Sequence, residues 1–333
     1  MKTSRHGRAS ELPMVLLLVL MFLAFSLIIP NFVQGSTFSN ILNRSVTNGI
    51  LAVGLTLCLV AGQIDLSMAA TLSLSGLIFV IIQPQYGMAP GVVAGLLAGL
   101  LVGALNAFLV TVVRVQPFIA TLGTLLLVRG AAFIVSNGRP ITGSALDAAL
   151  AMNRFLVGPI SFRVVVLLIV VAIGHLILTR TVLGRDLLAI GGNQNAATAA
   201  GVPIRLRLSV AYLISGTCAA LAGIELAVAL MAGSPIIGDT NFLIAAAAAF
   251  LGGTALSGGR GSVLSSLLAT ILLSTLTAGL ELSFIGAAYQ RILTGIILLI
   301  AVTPFFSGGG LGRLLSTAAR RLQRGRVSGS TAE

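Results

Sequence analysis

Of the 333 residues, 57% are hydrophobic and only 8% are charged, against about 25% charged in soluble domains. That balance excludes an ordinary soluble enzyme and points to a polytopic membrane protein. A net charge of +12 raises nucleic-acid binding, but the basic residues stand at the ends of apolar runs and in tails, without interleaved aromatics, so no nucleic-acid partner is expected.

The chain opens with Lys2, Arg5 and Arg8 ahead of an apolar run from Met14 to Ile29. This has the layout of a signal peptide, yet Pro30-Asn31-Phe32 offers no small-residue cleavage site, so the run is read as a retained first span. A spanning helix needs about 20 mostly apolar residues. Ten such stretches can be drawn, at 13–30, 46–62, 66–83, 88–113, 117–136, 161–179, 208–231, 241–256, 263–283 and 286–304. The expected fold is therefore all-α, a polytopic integral membrane bundle of about 10 transmembrane helices. Leu66 to Val113 carries no charge at all and divides into two spans at Gln83-Pro84-Gln85-Tyr86-Gly87.

The Lys/Arg bias of the connections sets the orientation. With the N-terminus inside, the inner set is Lys2, Arg5, Arg8, Arg114, Arg180, Arg185, Arg205, Arg207, Arg260, Arg313, Arg320, Arg321, Arg324 and Arg326. Only Arg44, Arg139, Arg154 and Arg163 fall outside. Both termini are accordingly expected in the cytoplasm. The chain divides into a cytoplasmic tail over 1–12, a transmembrane domain over 13–304 and a basic cytoplasmic tail over 305–333, the last suited to disorder and to anionic membrane lipid.

Several segments interrupt the apolar pattern. Asn48-Gly49-Ile50-Leu51-Ala52-Val53-Gly54 leads to Gly62-Gln63-Ile64-Asp65-Leu66-Ser67, where an acid and a glycine separate two spans. Asp65 suits a cap on a helix starting at Leu66, a place in a gate or translocation path, or proton coupling. Gly91, Gly95, Gly99 and Gly103 recur every four residues, a ridge on which another backbone can approach closely. Gln116-Pro117-Phe118-Ile119-Ala120-Thr121 starts the fifth span, with Pro117 at a first helical turn, and Arg129 lies inside that span. Arg129, Glu225, Glu281 and Arg291 are embedded charges that need partners, either as interhelical ion pairs or along a polar route.

A polar, basic island runs from Thr179 to Arg207. Asn193 can cap a short helix, alanines fill its body, Gly201 suits its C-terminal end, and Pro203 prevents continuation. A small helix between two spans on the basic side is a candidate docking surface for a soluble partner. Further on, Gly252-Gly253-Thr254-Ala255-Leu256-Ser257 faintly echoes residues 62–67, as internal repeats in transporters do. Cys58 and Cys218 fall inside spans and read as core residues. No phosphate-binding Gly-Lys-Ser/Thr loop, nucleophile–base pair or metal spacing occurs, so no catalytic residue, metal or cofactor is assigned to this chain.

Five segments in order carry a resemblance: NGILAVGLTLCLVAGQIDLS (48–67), QPFIATLGTLLLVRG (116–130), GRDLLAIGGNQNAATAAGV (184–202), LGGTALSGGRGS (251–262) and YQRILTGIILLIAV (289–302). Over roughly residues 40–303 the chain resembles the permease subunit of bacterial ABC sugar importers of the ribose/xylose/galactose class, related to branched-chain amino-acid permeases. The resemblance implies a homodimer in the bacterial inner membrane, a cytoplasmic ATPase that holds ATP and Mg, a periplasmic solute-binding protein and alternating access. It makes Gly184, Arg185, Gly191, Gly192, Asn193, Asn195, Ala196, Ala197 and Gly201 the ATPase-coupling element. Asn48, Gly62, Gln63, Asp65, Ser67, Gln116, Phe118, Thr121 and Arg129 are the expected gate or translocation path. The family pattern has a second glycine where Gln63 stands, and apolar or amide residues where Glu225 and Glu281 stand, departures suited to a different polar solute. An ion-coupled secondary transporter, using Asp65 or Glu225, is the alternative.

Overall fold

The computed structural model describes residues 8–142, 155–158 and 160–306. Lys2, Arg5, Arg154 and the basic tail beyond 306 lie outside the described residues. The helices in chain order are α1 (Arg8–Ile28), α2 (Gly35–Leu59), α3 (Met68–Tyr86), α4 (Met88–Thr111), α5 (Pro117–Ser136) and α6 (Phe162–Arg180). The short pair α7 (Val182–Gly192) and α8 (Gln194–Ala199) follows, then α9 (Ile204–Leu230), α10 (Gly238–Leu251), α11 (Val263–Leu282) and α12 (Ala287–Phe306). Eight of these are long and apolar enough to cross a membrane. Two small ribbons complete the described residues: β1 (Ile141–Thr142) pairs with β4 (Ala232–Gly233), and β2 (Phe155–Val157) with β3 (Ile160–Ser161).

Some helix ends fall where the sequence supplies the chemistry. Pro117 opens α5, and Asn137 (φ 50°) followed by Gly138 (φ 71°) closes it in the left-handed region. The break expected across Gln83-Pro84-Gln85-Tyr86-Gly87 is confined to its last residue. Pro84 is tolerated in the last turn of α3, and the chain turns at Gly87 (φ 92°). The second helix also differs from its expected span, beginning at Gly35 instead of 46. In its polar first half, Asn40, Asn43, Arg44, Thr47 and Asn48 line a cavity.

Helix α2 is the axis of the fold: every residue from Ser45 to Leu59 is buried. Helices α6, α9, α10 and α11 pack around it, while α3, α4 and α5 form a second layer joined through α9. The glycine ridge of α4 explains how α9 comes so close. A methyl on Gly99 would collide with the Gly216 carbonyl oxygen, and one on Gly103 would lie 2.5 Å from that of Tyr212. Gly216 faces the Gly99 carbonyl in return, so both helices give up side chains at the crossing. Outward positions on α4, α5 and α6, such as Leu101, Leu126 and Ile169, are large and exposed, as a lipid-facing surface requires. Helix α1 lies at the periphery and is held by an aromatic cluster: Phe22 and Phe25 pack on Phe32 at 5.2 and 5.5 Å between centroids.

Helix α10 is short. At 1.5 Å per residue its 14 residues reach roughly 21 Å, against about 30 Å of hydrocarbon. The chain continues as an irregular segment, 252–262, before α11. Irregular backbone at such depth survives only where protein covers it and its polar groups are satisfied. Here the Gly253 N–H donates to Phe250, Thr254 to Ala249, Gly258 to Ala255 and Gly259 to Val60, the last at 2.8 Å.

Candidate functional site

Three places in the bundle concentrate the polar residues. The first is a buried network where α2 gives way to α3. Asp65, fully buried, accepts from the Ser67 N–H (3.1 Å), Ser67 Oγ (2.6 Å), Asn106 Nδ2 (3.2 Å) and Ser215 Oγ (2.7 Å). Asn106 also donates to Ser67 Oγ at 2.7 Å. Gln63 Oε1 accepts from the Tyr212 hydroxyl at 3.2 Å, and Thr121 Oγ1 donates to the Ile64 carbonyl at 3.3 Å. The cap expected of Asp65 is thus only part of its role. Helix α3 starts at Met68, not Leu66, and the carboxylate ties α3, α4 and α9 together. A buried charge survives only with several such donors.

The second place is a cavity of about 420 Å³ at the N-terminal half of α2. Asn40, Asn43, Thr47 and Asn48 of α2 line one side, with Asn241 of α10 and Ser274 and Thr277 of α11 opposite. Leu226, Ala229 and Leu230 of α9, with Ile244 of α10 and Leu273 of α11, supply the apolar part, and Arg44 and Arg163 complete the lining. Asn48 Oδ1 is buried and has no hydrogen-bond partner among the described residues. Both arginines are neutralised in place. Arg44 grips Glu281 with two bonds of 2.8 and 2.6 Å, and Arg163 Nε meets Glu225 Oε2 at 2.7 Å, that pair being almost wholly buried. Read from sequence as connection residues, Arg44 and Arg163 instead belong to α2 and α6 and partner the embedded acids.

The third place is a junction of glycines at the other end of α2, roughly 24 Å from Arg44 along the axis for the 16 residues to Val60. The turn after α2 and the segment after α10 meet there, both against the end of α7. Gly62 (φ 71°) and Gly258 (φ 85°) need the left-handed region that glycine allows. A methyl on Gly258 would lie 2.7 Å from Gly191 Cα and from Gly62 N. One on Gly191 would strike the Val60 carbonyl oxygen and sit 2.5 Å from Gly259 N. The faint echo between 62–67 and 252–257 therefore marks two segments in contact.

Beside this junction the island folds as two helices. Thr181 caps α7, accepting from the Gly184 N–H at 3.2 Å, and Gly184 is buried against the carbonyls of Ile177 and Leu178. Asn193 Oδ1 caps α8 through the Ala196 N–H at 3.0 Å, and Gly201 (φ 79°) follows its end. Ala197 is buried while Arg185, Gly192, Asn193, Asn195, Ala196 and Gly201 are exposed. Arg207 reaches back from α9 to Asp186 at 2.7 Å and fixes α7 to that helix.

The structure brings some of the nine expected path residues together and sets others apart. Gly62, Gln63, Asp65, Ser67 and Thr121 gather at the junction end, whereas Asn48 lies in the cavity. Gln116 and Phe118 are exposed at the start of α5. Arg129 pairs with Asp239 at the start of α10, a partner not singled out from the sequence. Arg291 is exposed on α12. Asn106, Ser215 and Tyr212 were also missed. Asn106 did carry a signal, as the only amide in the apolar run of α4, while Ser215 looks like any helical serine.

The family of the branched-chain amino acid transport system permease component matches residues 37–302. The ribose import permease protein RbsC of Bacillus subtilis is 36% identical over 86% of this chain and 89% of its own length. Its namesake in Escherichia coli K12 is 34% identical over 87% and 91%. The L-arabinose transport system permease protein AraH of E. coli K12 is 35% identical over 87% and 88%. No solved structure matches the chain. With a helical bundle of membrane-spanning length and a family match over most of its residues, this chain belongs to the transport-system permease-component family and is a multi-pass protein of the bacterial inner, or cell, membrane.

Proposed function

We propose that this chain is the transmembrane permease subunit of an ATP-driven ABC importer for a monosaccharide or related polar solute. It has ten spans and both termini in the cytoplasm, and it pairs with a second copy of itself. A cytoplasmic ABC ATPase hydrolyses ATP, and a periplasmic solute-binding protein delivers solute to the opposite face. The relatives at 34–36% identity named for ribose and L-arabinose support the solute class.

One observation carries the mechanism: Gly191, at the end of the exposed α7–α8 pair, is packed directly on the two irregular turns, 60–62 and 258–259. Motion imposed on α7 and α8 has no soft side chain to be lost in, so it passes to the ends of α2 and α10. Those helices line the cavity at their other ends, which couples a cytoplasmic push to an outward-facing opening, as alternating access requires. The acids support this reading over ion coupling, because Glu225, Glu281 and Asp239 face arginines and Asp65 is held by hydroxyl and amide donors.

The test is uptake of labelled ribose and L-arabinose into proteoliposomes holding the permease, its ATPase and its binding protein. Uptake should require ATP and all three components. Uptake that survives omission of the ATPase and collapses with an ion gradient would establish a secondary transporter instead. Replacing the exposed Asn195 and Thr198 by arginine should uncouple ATP hydrolysis from uptake while the bundle stays folded.

A further inference from the structure

The cavity beside α2 contains two guanidinium groups, yet among the described residues each faces a carboxylate. Arg44 is held by both oxygens of Glu281, and Arg163 by Glu225. An arginine in a polar cavity would ordinarily favour an anion, since its fork matches a carboxylate or phosphate. Here each fork already has its carboxylate. What remains for a solute are Asn40, Asn48, Asn241 and Ser274, groups that both donate and accept, and Thr277 Oγ1, which donates to the Leu273 carbonyl and is left to accept. Asn48 Oδ1, in a residue more than nine-tenths buried, has no partner among the described residues and can take a donor. The apolar wall of Leu226 and Ala229 suits the less polar face of a ring, and about 420 Å³ falls within the 300–1,000 Å³ range of small-molecule sites.

We propose that this cavity is a solute site whose selectivity is set by Glu281 and Glu225. By neutralising Arg44 and Arg163, the two acids restrict it to uncharged polyhydroxylated solutes and turn away their carboxylate forms, the aldonates. The inference rests on the importer reading for the identity of the solute, but the balance of charge is a property of this chain alone. Removing Glu281 leaves Arg44 unmatched at the cavity and converts a neutral site into an anion-accepting one.

The experiment uses the full-length protein with Thr277→Cys as a reporter in the cavity; Cys58 and Cys218 are buried, and the parent protein serves as the unreactive control. Rates of modification by anionic and cationic thiosulfonates of similar size are compared. With Glu281 present the two rates should be similar; Glu281→Gln should raise the anionic-to-cationic ratio about tenfold, the effect of one uncompensated charge in a partly wet site. Glu281→Asp should restore the parent ratio and Arg44→Gln should lower it.

Solute protection is then measured with a neutral maleimide. D-Ribose should protect the parent and D-ribonate should not, whereas in Glu281→Gln ribonate should protect at a concentration at least about tenfold lower. Glu281 is half-exposed, so its substitution leaves the bundle folded, while Glu225→Gln is a second, more buried test of the same effect. An unchanged ratio, or ribonate protection indifferent to Glu281, overturns the proposal, as does the absence of protection by either solute in every variant. Failure of the importer reading shows elsewhere, as absence of ATP-dependent ribose uptake by the parent transporter.

Discussion

Gly191→Ala tests the junction directly, because its neighbour supplies a matched control. Both Gly191 and Gly192 close α7, so alanine gains the same helix propensity, up to about 1 kcal/mol, at either position. They differ only in what a methyl meets. At Gly192 nothing lies within 4 Å; at Gly191 the methyl overlaps the Val60 carbonyl oxygen, lies 2.5 Å from Gly259 N and 3.0 Å from Gly258 Cα. These are main-chain atoms, so no rotamer change can relieve the clash and the turns must separate. Overpacking of that kind costs about 1–3 kcal/mol. Separation also breaks the Gly259 N–H to Val60 carbonyl bond, 2.8 Å long, for about 1 kcal/mol more. Gly191→Ala should therefore be about 2–4 kcal/mol less stable than Gly192→Ala, read as a drop of several degrees in the thermal midpoint of the purified protein. In reconstituted vesicles it should also lose uptake per ATP hydrolysed, while Gly192→Ala should not. If the two variants melt together and transport alike, the turns are not in tight contact and the transmission argument fails.

Other expectations follow from the same packing. Gly99→Leu should abolish the α4–α9 crossing and the yield of folded protein, whereas Gly123→Ala, with nothing within 4 Å, should be neutral or slightly stabilising by size-exclusion profile and melting point. Glu225→Leu removes the carboxylate that faces Arg163 in a buried site and should cost about 3–5 kcal/mol, while the double replacement Arg163→Met/Glu225→Leu should recover part of that loss in thermal unfolding. Asp65→Ala removes the acceptor for Ser67, Asn106 and Ser215 and should cost at least about 3 kcal/mol, with Asp65→Asn less damaging because an amide oxygen still accepts. Equal melting points for Asp65→Ala and Asp65→Asn would show that the network does not depend on an acceptor at residue 65.

The sequence by itself determined what depends on near neighbours. Apolar runs located the helices, Pro117 marked the start of α5, and Asn193 with Gly201 bounded the short helix α8, because caps and turns involve groups only a few residues apart. The four-residue glycine repeat likewise announced a close helix crossing without naming the partner, which is α9. Only the tertiary structure decided the pairings. Arg163 and Glu225 are 62 positions apart and Arg44 and Glu281 are 237 apart, so no local pattern links them. The same holds for the path residues: Asn48 and Asp65 lie near each other in sequence, but α2 carries them toward opposite ends of the bundle. Charge in a low-dielectric interior must find its partner wherever the packing brings one, and packing is a property of the whole chain.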